Sequence, residues 1–159
     1  VWFVVIPMNP DKIEKGVSDA DIRLEMIQGI CVTDTKFMSC DIAFGLAKPN
    51  YTVDTLNEIK KEFRGFEYSI IRGEDNLFTL NNWKNYLNIL NHKIYVYPRM
   101  LNHSKKADLI NHPNVILSDA PMMNISSSSI REKIRHNEDY KSLISENIKK
   151  FVISKSLYS

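Results

Sequence analysis

The segment with the most evident chemistry is Asn124-Ile125-Ser126-Ser127-Ser128-Ser129-Ile130-Arg131, which sets four hydroxyls at the head of an apolar-periodic run. Hydroxyls at a helix start accept from amides that have no partner inside the helix, and those same amides can hold a phosphate. Arg131 adds a planar cationic fork one turn in, matched to paired phosphate oxygens. Taken alone, the segment is more simply a serine-capped surface helix or a flexible serine linker. A second segment, Gly73-Glu74-Asp75-Asn76, follows a strand-like run. Gly73 permits close approach of backbone to a ligand, and Asp75 can accept from a ribose or adenine, or help orient a metal–phosphate group. Gly, Asp and Asn are also ordinary turn formers.

A third segment, Tyr51-Thr52-Val53-Asp54-Thr55-Leu56, offers amides and hydroxyls at another helix start, or is a plain capped helix. Trp83 can stack on an aromatic ring, or fill the core like most tryptophans at helical spacing with leucines. Lys12 and Arg23 can neutralise phosphate or remain solvated. His92, His103, His112 and His136 have no metal-ligand spacing and are read as solvated.

The elements that must position these residues alternate between strand and helix. Val1–Ile6 is an apolar run stopped by Pro7, suited to a strand buried on both faces. Ser18, with Asp21 three residues on, predicts a helix start; Ile22, Met26, Ile27, Ile30 and Cys31 form its apolar face. Residues 37–44 are expected as a second strand, and Thr52 as the cap of a helix turning Val53, Leu56, Ile59 and Phe63 inward. Residues 66–71 form a third strand, and a helix bearing Trp83, Leu87 and Leu90 follows. Ile94–Tyr97 is a fourth strand ended by Pro98, residues 105–110 a short helix, and Val115–Leu117 a fifth strand. Ser126–Ser129 opens a further helix, and residues 145–158 are amphipathic through Ile148, Phe151 and Val152. Five alternations argue for a Rossmann-like, doubly wound parallel α/β sheet with helices on both faces. The three segments above then fall in loops leading from strands into helices, where open parallel sheets bind ligands. Together they point to a phosphorylated ligand of nucleotide type, but not to a reaction.

Composition narrows the field further. The chain has 159 residues, so a single domain over 1–159 is expected, with enough length for a real core. A balance of 43% hydrophobic and 25% charged residues is that of a globular protein. The net charge of +2 gives no case for nucleic acid or an anionic membrane as partner. No stretch reaches the ~20 apolar residues of a membrane span. Cys31 and Cys40 are read as buried free thiols rather than a disulfide or metal pair, which suggests a reducing, cytoplasmic setting. An oligomer is compatible with the pattern. Val1 stands at the start of a strand pattern with no initiator methionine, so residues upstream of it are expected.

Four of these segments, taken in order, resemble the adenylyltransferases of NAD synthesis. Residues 125–131 resemble that family's C-terminal signature, and residues 51–56 its segment after the third strand of the complete fold. Ile70-Ile71-Arg72-Gly73-Glu74-Asp75-Asn76-Leu77, followed by Trp83, resembles its mid-chain signature; Pro7 through Lys12, with Arg23 beyond, resembles its early loop. The segments span the chain, and the likeness is to bacterial nicotinate-nucleotide adenylyltransferases. It implies that Ser126, Ser127 and Arg131 hold the ATP phosphates, with Gly73 and Asp75 against the ribose and phosphate of the adenylyl group. Thr52 and Trp83 would frame the nicotinate ring, Trp83 by stacking on it. Lys12, Arg23 and Arg99 would neutralise the mononucleotide phosphate or the triphosphate. Ser126, Arg131 and Asp75 would be the catalytic set.

The superfamily's first strand and its His-x-Gly-His loop have no counterpart in this sequence. Arg72 and Ala43 stand where an apolar residue and a glutamate are expected. The resemblance implies in-line attack of the mononucleotide 5′-phosphate on the α-phosphorus of ATP, with Mg²⁺ bound mainly through phosphates and water. The products are deamido-NAD and pyrophosphate. Two alternatives stand beside it: a sister adenylyl- or cytidylyltransferase acting on phosphopantetheine or an alcohol phosphate, and a nucleotide-binding fragment impaired in catalysis.

Overall fold

The computed structural model describes residues 1–10, 19–99 and 108–158. The chain forms two compact units, Val1–Asn50 with Ile125–Ser159, and Tyr51–Asn124.

In the first unit, β1 (Trp2–Val4) pairs in parallel with β2 (Met38–Cys40), Trp2 opposite Met38 and Val4 opposite Cys40. Aromatic and β-branched side chains suit this pleated surface, and the Phe3 and Phe37 rings pack with centroids 5.3 Å apart. α1 (Ala20–Cys31) crosses between the strands and packs against β2. Its cap is Asp19, whose carboxylate accepts from the Asp21 amide at 2.8 Å; the expected cap, Ser18, lies outside the described residues. α4 (Ser127–Arg135) buries Ile134, and α5 (Glu146–Ser154), capped by Ser145, buries Val152. α5 packs on α1, tied by Lys155 to Glu25 at 3.3 Å and by Asn147 donating to the Gly29 carbonyl at 3.1 Å.

In the second unit, β3 (Ser69–Gly73), β4 (Lys93–Tyr97) and β5 (Val115–Leu117) form a parallel sheet in that order. α2 (Thr52–Glu62) precedes β3, and α3 (Tyr86–Leu90) precedes β4. Val53, Ile70, Leu77, Leu80, Ile89, Leu90, Ile94 and Val96 make one core. Each aliphatic side chain buried this fully contributes about 1.5–3 kcal/mol. β4 alternates by face, with Ile94 and Val96 inward and Lys93, Tyr95 and Tyr97 outward.

The α/β class with parallel strands is the one expected, and among the described residues its ladders form a two-strand and a three-strand sheet. Several element ends differ from expectation. β2 stops at Cys40 because the chain turns into a 3₁₀ helix, Ile42–Gly45, rather than extending to Phe44. β3 starts at Ser69, leaving Phe66 exposed, and continues through Gly73. Thr52 is the first helical residue of α2, and the cap is Tyr51, which makes no side-chain capping bond. Phe63 ends that helix partly exposed instead of facing inward.

The expected helix through Trp83, Leu87 and Leu90 is broken. Residues Glu74–Phe78 and Leu80–Asn82 are 3₁₀ helices, and Asn85 takes a left-handed conformation before α3. Ile89 and Leu90 therefore enter the core while Leu87 faces solvent. Of residues 105–110, only 108–110 are described; they begin a 3₁₀ helix, Asp108–Asn111. Cys40 is buried as expected, and burial pushes its thiol above the ordinary range. Cys31 is only half-buried.

Candidate active site

Gly73 is the last residue of β3 and lies in register with Tyr97, the last residue of β4. Their carboxyl ends are where a parallel sheet presents ligands. A Cβ on Gly73 would run into Asp75 Oδ1 and come within 3.2 Å of both the Tyr97 hydroxyl and Arg99 Cγ. The backbone there is extended (φ −75°), so the glycine answers a need for space. Asp75 Oδ1 sits 3.5 Å from Arg99 Nε, and the Arg99 guanidinium lies 6.0 Å from the Tyr97 ring centre. Three residues singled out from sequence, Gly73, Asp75 and Arg99, thus meet in one group. Tyr97 completes it and was not singled out.

A second group forms around the start of α2. Thr52 Oγ1 accepts from the Arg72 guanidinium at 3.4 Å, and that guanidinium lies 5.4 Å from the Trp83 ring centre. The Trp83 indole N–H donates to Thr79 Oγ1 at 3.2 Å, orienting the ring. Lys84 lies 2.8 Å from the Asp54 carboxylate and 4.9 Å from the Tyr51 ring centre. Thr52 and Trp83, paired in expectation as the frame of an aromatic ring, are bridged by Arg72. Sequence reasoning passed over Arg72 as a mere departure. The signal was there: a charge in an otherwise apolar strand. Burial pushes the Arg72 guanidinium below its ordinary value, against a smaller opposing pull from Tyr97; arginine keeps its proton at any working pH.

In the first unit, α4 begins as the serines predict. Ser126 Oγ accepts from the Ser129 amide at 3.1 Å, and Ser129 Oγ accepts from the Ser126 amide at 3.2 Å, closing a capping box. The Ser126 hydroxyl is thereby engaged in the cap, and the Ser127 and Ser128 amides are the first two of the helix. Arg131 donates to Ser128 Oγ at 3.2 Å and lies 5.9 Å from the Tyr158 ring centre, so its fork is held toward the helix start. Arg23 donates to the carbonyls of Ile6 at 2.9 Å and Pro7 at 3.0 Å, clamping the chain as it leaves β1. Lys12 lies outside the described residues.

Asn50 was also missed. It is buried, accepts from the Met8 amide at 3.0 Å and donates to the Ala43 carbonyl at 3.0 Å, joining two loops. Ala43 is fully buried, which leaves no room for the glutamate expected at that position.

Comparison with known proteins defines the class first. The cytidylyltransferase-like family profile matches residues 1–133. A probable nicotinate-nucleotide adenylyltransferase of Flavobacterium johnsoniae is 38% identical over 99% of this chain and 82% of its own length. Its counterpart in Flavobacterium psychrophilum is 39% identical with the same coverage, and that of Cytophaga hutchinsonii 38% identical over the whole of this chain and 82% of its own. The chain belongs to the nicotinate-nucleotide adenylyltransferase family. The nicotinic acid mononucleotide adenylyltransferase of Plasmodium falciparum, solved in complex with NaAD, shares the fold at a TM-score of 0.75. It is 18% identical, over 99% of this chain and 81% of that one.

Proposed function

We propose that this protein transfers the adenylyl group of ATP to nicotinate mononucleotide, forming deamido-NAD and pyrophosphate in NAD synthesis. The observation that carries this reading is membership of the family over 99% of the chain. An oxygen of the mononucleotide 5′-phosphate attacks the α-phosphorus in line, and the bond from that phosphorus to the bridging oxygen of pyrophosphate breaks. No covalent enzyme intermediate is required, so catalysis rests on alignment and on matching charge where it develops.

Each group has a natural part in this scheme. Arg131 and the first amides of α4 would take triphosphate oxygens, with Ser126 setting the helix start and Ser127 lending its amide. Gly73 would leave room for the ribose and phosphate of the adenylyl group. Asp75 would hold Arg99 in place to neutralise phosphate and accept from the ribose. Thr52 and Trp83 would frame the pyridine ring. Arg23 would act by fixing the chain where it leaves β1, since two of its N–H groups are engaged by Ile6 and Pro7.

Mg²⁺ fits this arrangement as an ion carried by the triphosphate. The Asp75 carboxylate is shared with Arg99, and Mg²⁺ commonly keeps its waters and binds through substrate phosphates. Bound so, it would offset the charge on the departing pyrophosphate. The unpaired cysteines Cys31 and Cys40 support a cytoplasmic, reducing setting. Pyrophosphate release, followed with ATP, Mg²⁺ and either nicotinate mononucleotide or phosphopantetheine, tests the reading. Release is expected with the mononucleotide alone; none above background, or release with phosphopantetheine only, would overturn it.

A further inference from the structure

β3 turns alternate residues into the core of the second unit, and Arg72 occupies an inward position next to Ile70. Its side chain borders a small cavity shared with Ile70, Asn76, Leu77, Leu80 and Trp83. The cavity wall is almost wholly apolar. Arg72 Nε is buried and has no hydrogen-bond partner among the described residues. Among the described residues, the guanidinium finds one acceptor, the neutral Thr52 hydroxyl, at a long 3.4 Å. Two carboxylates of this unit are engaged elsewhere: Asp75 pairs with Arg99, and Asp54 with Lys84. A cation drawn partly out of water without a carboxylate partner is costly. The fold accepts that cost beside an oriented indole and a helix start, and an incoming anion would repay it.

The anion that suits this place is flat and aromatic. Trp83 supplies a stacking face, and the guanidinium is planar with several N–H groups in one edge, the match for a carboxylate. We infer that Arg72 is the residue that distinguishes a pyridine bearing a carboxylate from one bearing an amide, by contacting the ring carboxylate of nicotinate mononucleotide beside Trp83 and Thr52. The carboxamide of the amide counterpart carries no charge and offers one acceptor where the carboxylate offers two, and its NH₂ sets a donor against a group that has only donors. Discrimination therefore comes from attraction of the acid and from mismatch with the amide. This inference rests on the function proposed above and adds the residue that would set its substrate preference.

The test compares the protein with Arg72→Met and Arg72→Gln, measuring binding of nicotinate mononucleotide and nicotinamide mononucleotide by calorimetry without ATP, and kcat/KM for each with ATP and Mg²⁺. Removing a charged hydrogen-bond partner should weaken nicotinate mononucleotide roughly tenfold to a hundredfold. Binding of the amide should stay within about twofold or improve, so the preference collapses. Arg72→Lys should recover part of it, since charge returns without the fork. Melting temperature identifies a variant that has failed to fold, and the remaining variants then decide. An equal loss toward both mononucleotides in folded variants, or an unchanged preference, would overturn the inference while leaving adenylyl transfer by the parent protein intact. A parent protein that neither binds nor turns over nicotinate mononucleotide would overturn the functional reading and this inference together.

Discussion

Gly73 shows how one missing atom shapes a site without shaping the fold. A Cβ there meets the end of the Asp75 side chain, a group that can swing away, and backbone angles impose no strain on alanine. Gly73→Ala should therefore leave the melting temperature nearly unchanged while driving Asp75 away from Arg99. With the pair broken, ATP use should fall about tenfold, the usual order for losing one charge-assisted contact. Thermal melts and kcat/KM for ATP read the two effects separately; a large fall in stability with normal kinetics would show the glycine to be structural. Residue types alone exposed part of this group. Gly73 and Asp75 were legible because glycine before an acidic turn at a strand end is a local pattern. Tyr97 and Arg72 were not, because their meaning comes from neighbours across the strands: Tyr97 through its register with Gly73, Arg72 through Trp83 and Thr52.

At the scale of elements, the helix starts separate what is local from what is tertiary. The start of α4 was readable since Ser126 and Ser129 satisfy each other within four residues. Ser126→Ala removes the side chain that caps the Ser129 amide, a loss of about 1 kcal/mol. In a chain of this size that lowers the melting temperature by roughly 2–4 °C. The same variant tests the phosphate role assigned to the helix: a frayed first turn should weaken ATP more than the mononucleotide. Ser126→Asp should restore the melting temperature, because aspartate caps well, yet depress ATP binding by placing a negative charge beside phosphate. Recovery of both would show that the helix start does not meet the triphosphate. The start of α2 was misread for the opposite reason. Thr52 resembles a cap in sequence, but its hydroxyl accepts from Arg72 on another element. Likewise, the spacing of Trp83, Leu87 and Leu90 suggests one helical face, whereas 3₁₀ segments and the left-handed Asn85 reset the period.

For the whole molecule, the parallel α/β class followed from the alternation of apolar runs with periodic ones, which is a property of many residues and survives errors at element ends. The division of the ladders into two sheets did not, since pairing depends on contacts that no single segment encodes. The contacts that brace the first unit, Arg23 to the end of β1 and Asn50 to Met8 and Ala43, were equally out of reach. What the proposed chemistry predicts at this scale is linkage. A ligand that binds only the folded chain stabilises it by RT ln(1 + [L]/Kd), about 2.7 kcal/mol at a hundredfold excess over Kd. For a chain of this length the melting temperature then rises by roughly 5–10 °C. Nicotinate mononucleotide should give that rise with or without EDTA, because its proposed contacts are protein side chains. ATP should give it with Mg²⁺ and lose most of it in EDTA, because on the proposed scheme the ion offsets much of the triphosphate charge. A rise with ATP that is indifferent to EDTA would remove the metal from the binding step, and a rise with neither substrate would argue against a nucleotide site in this chain.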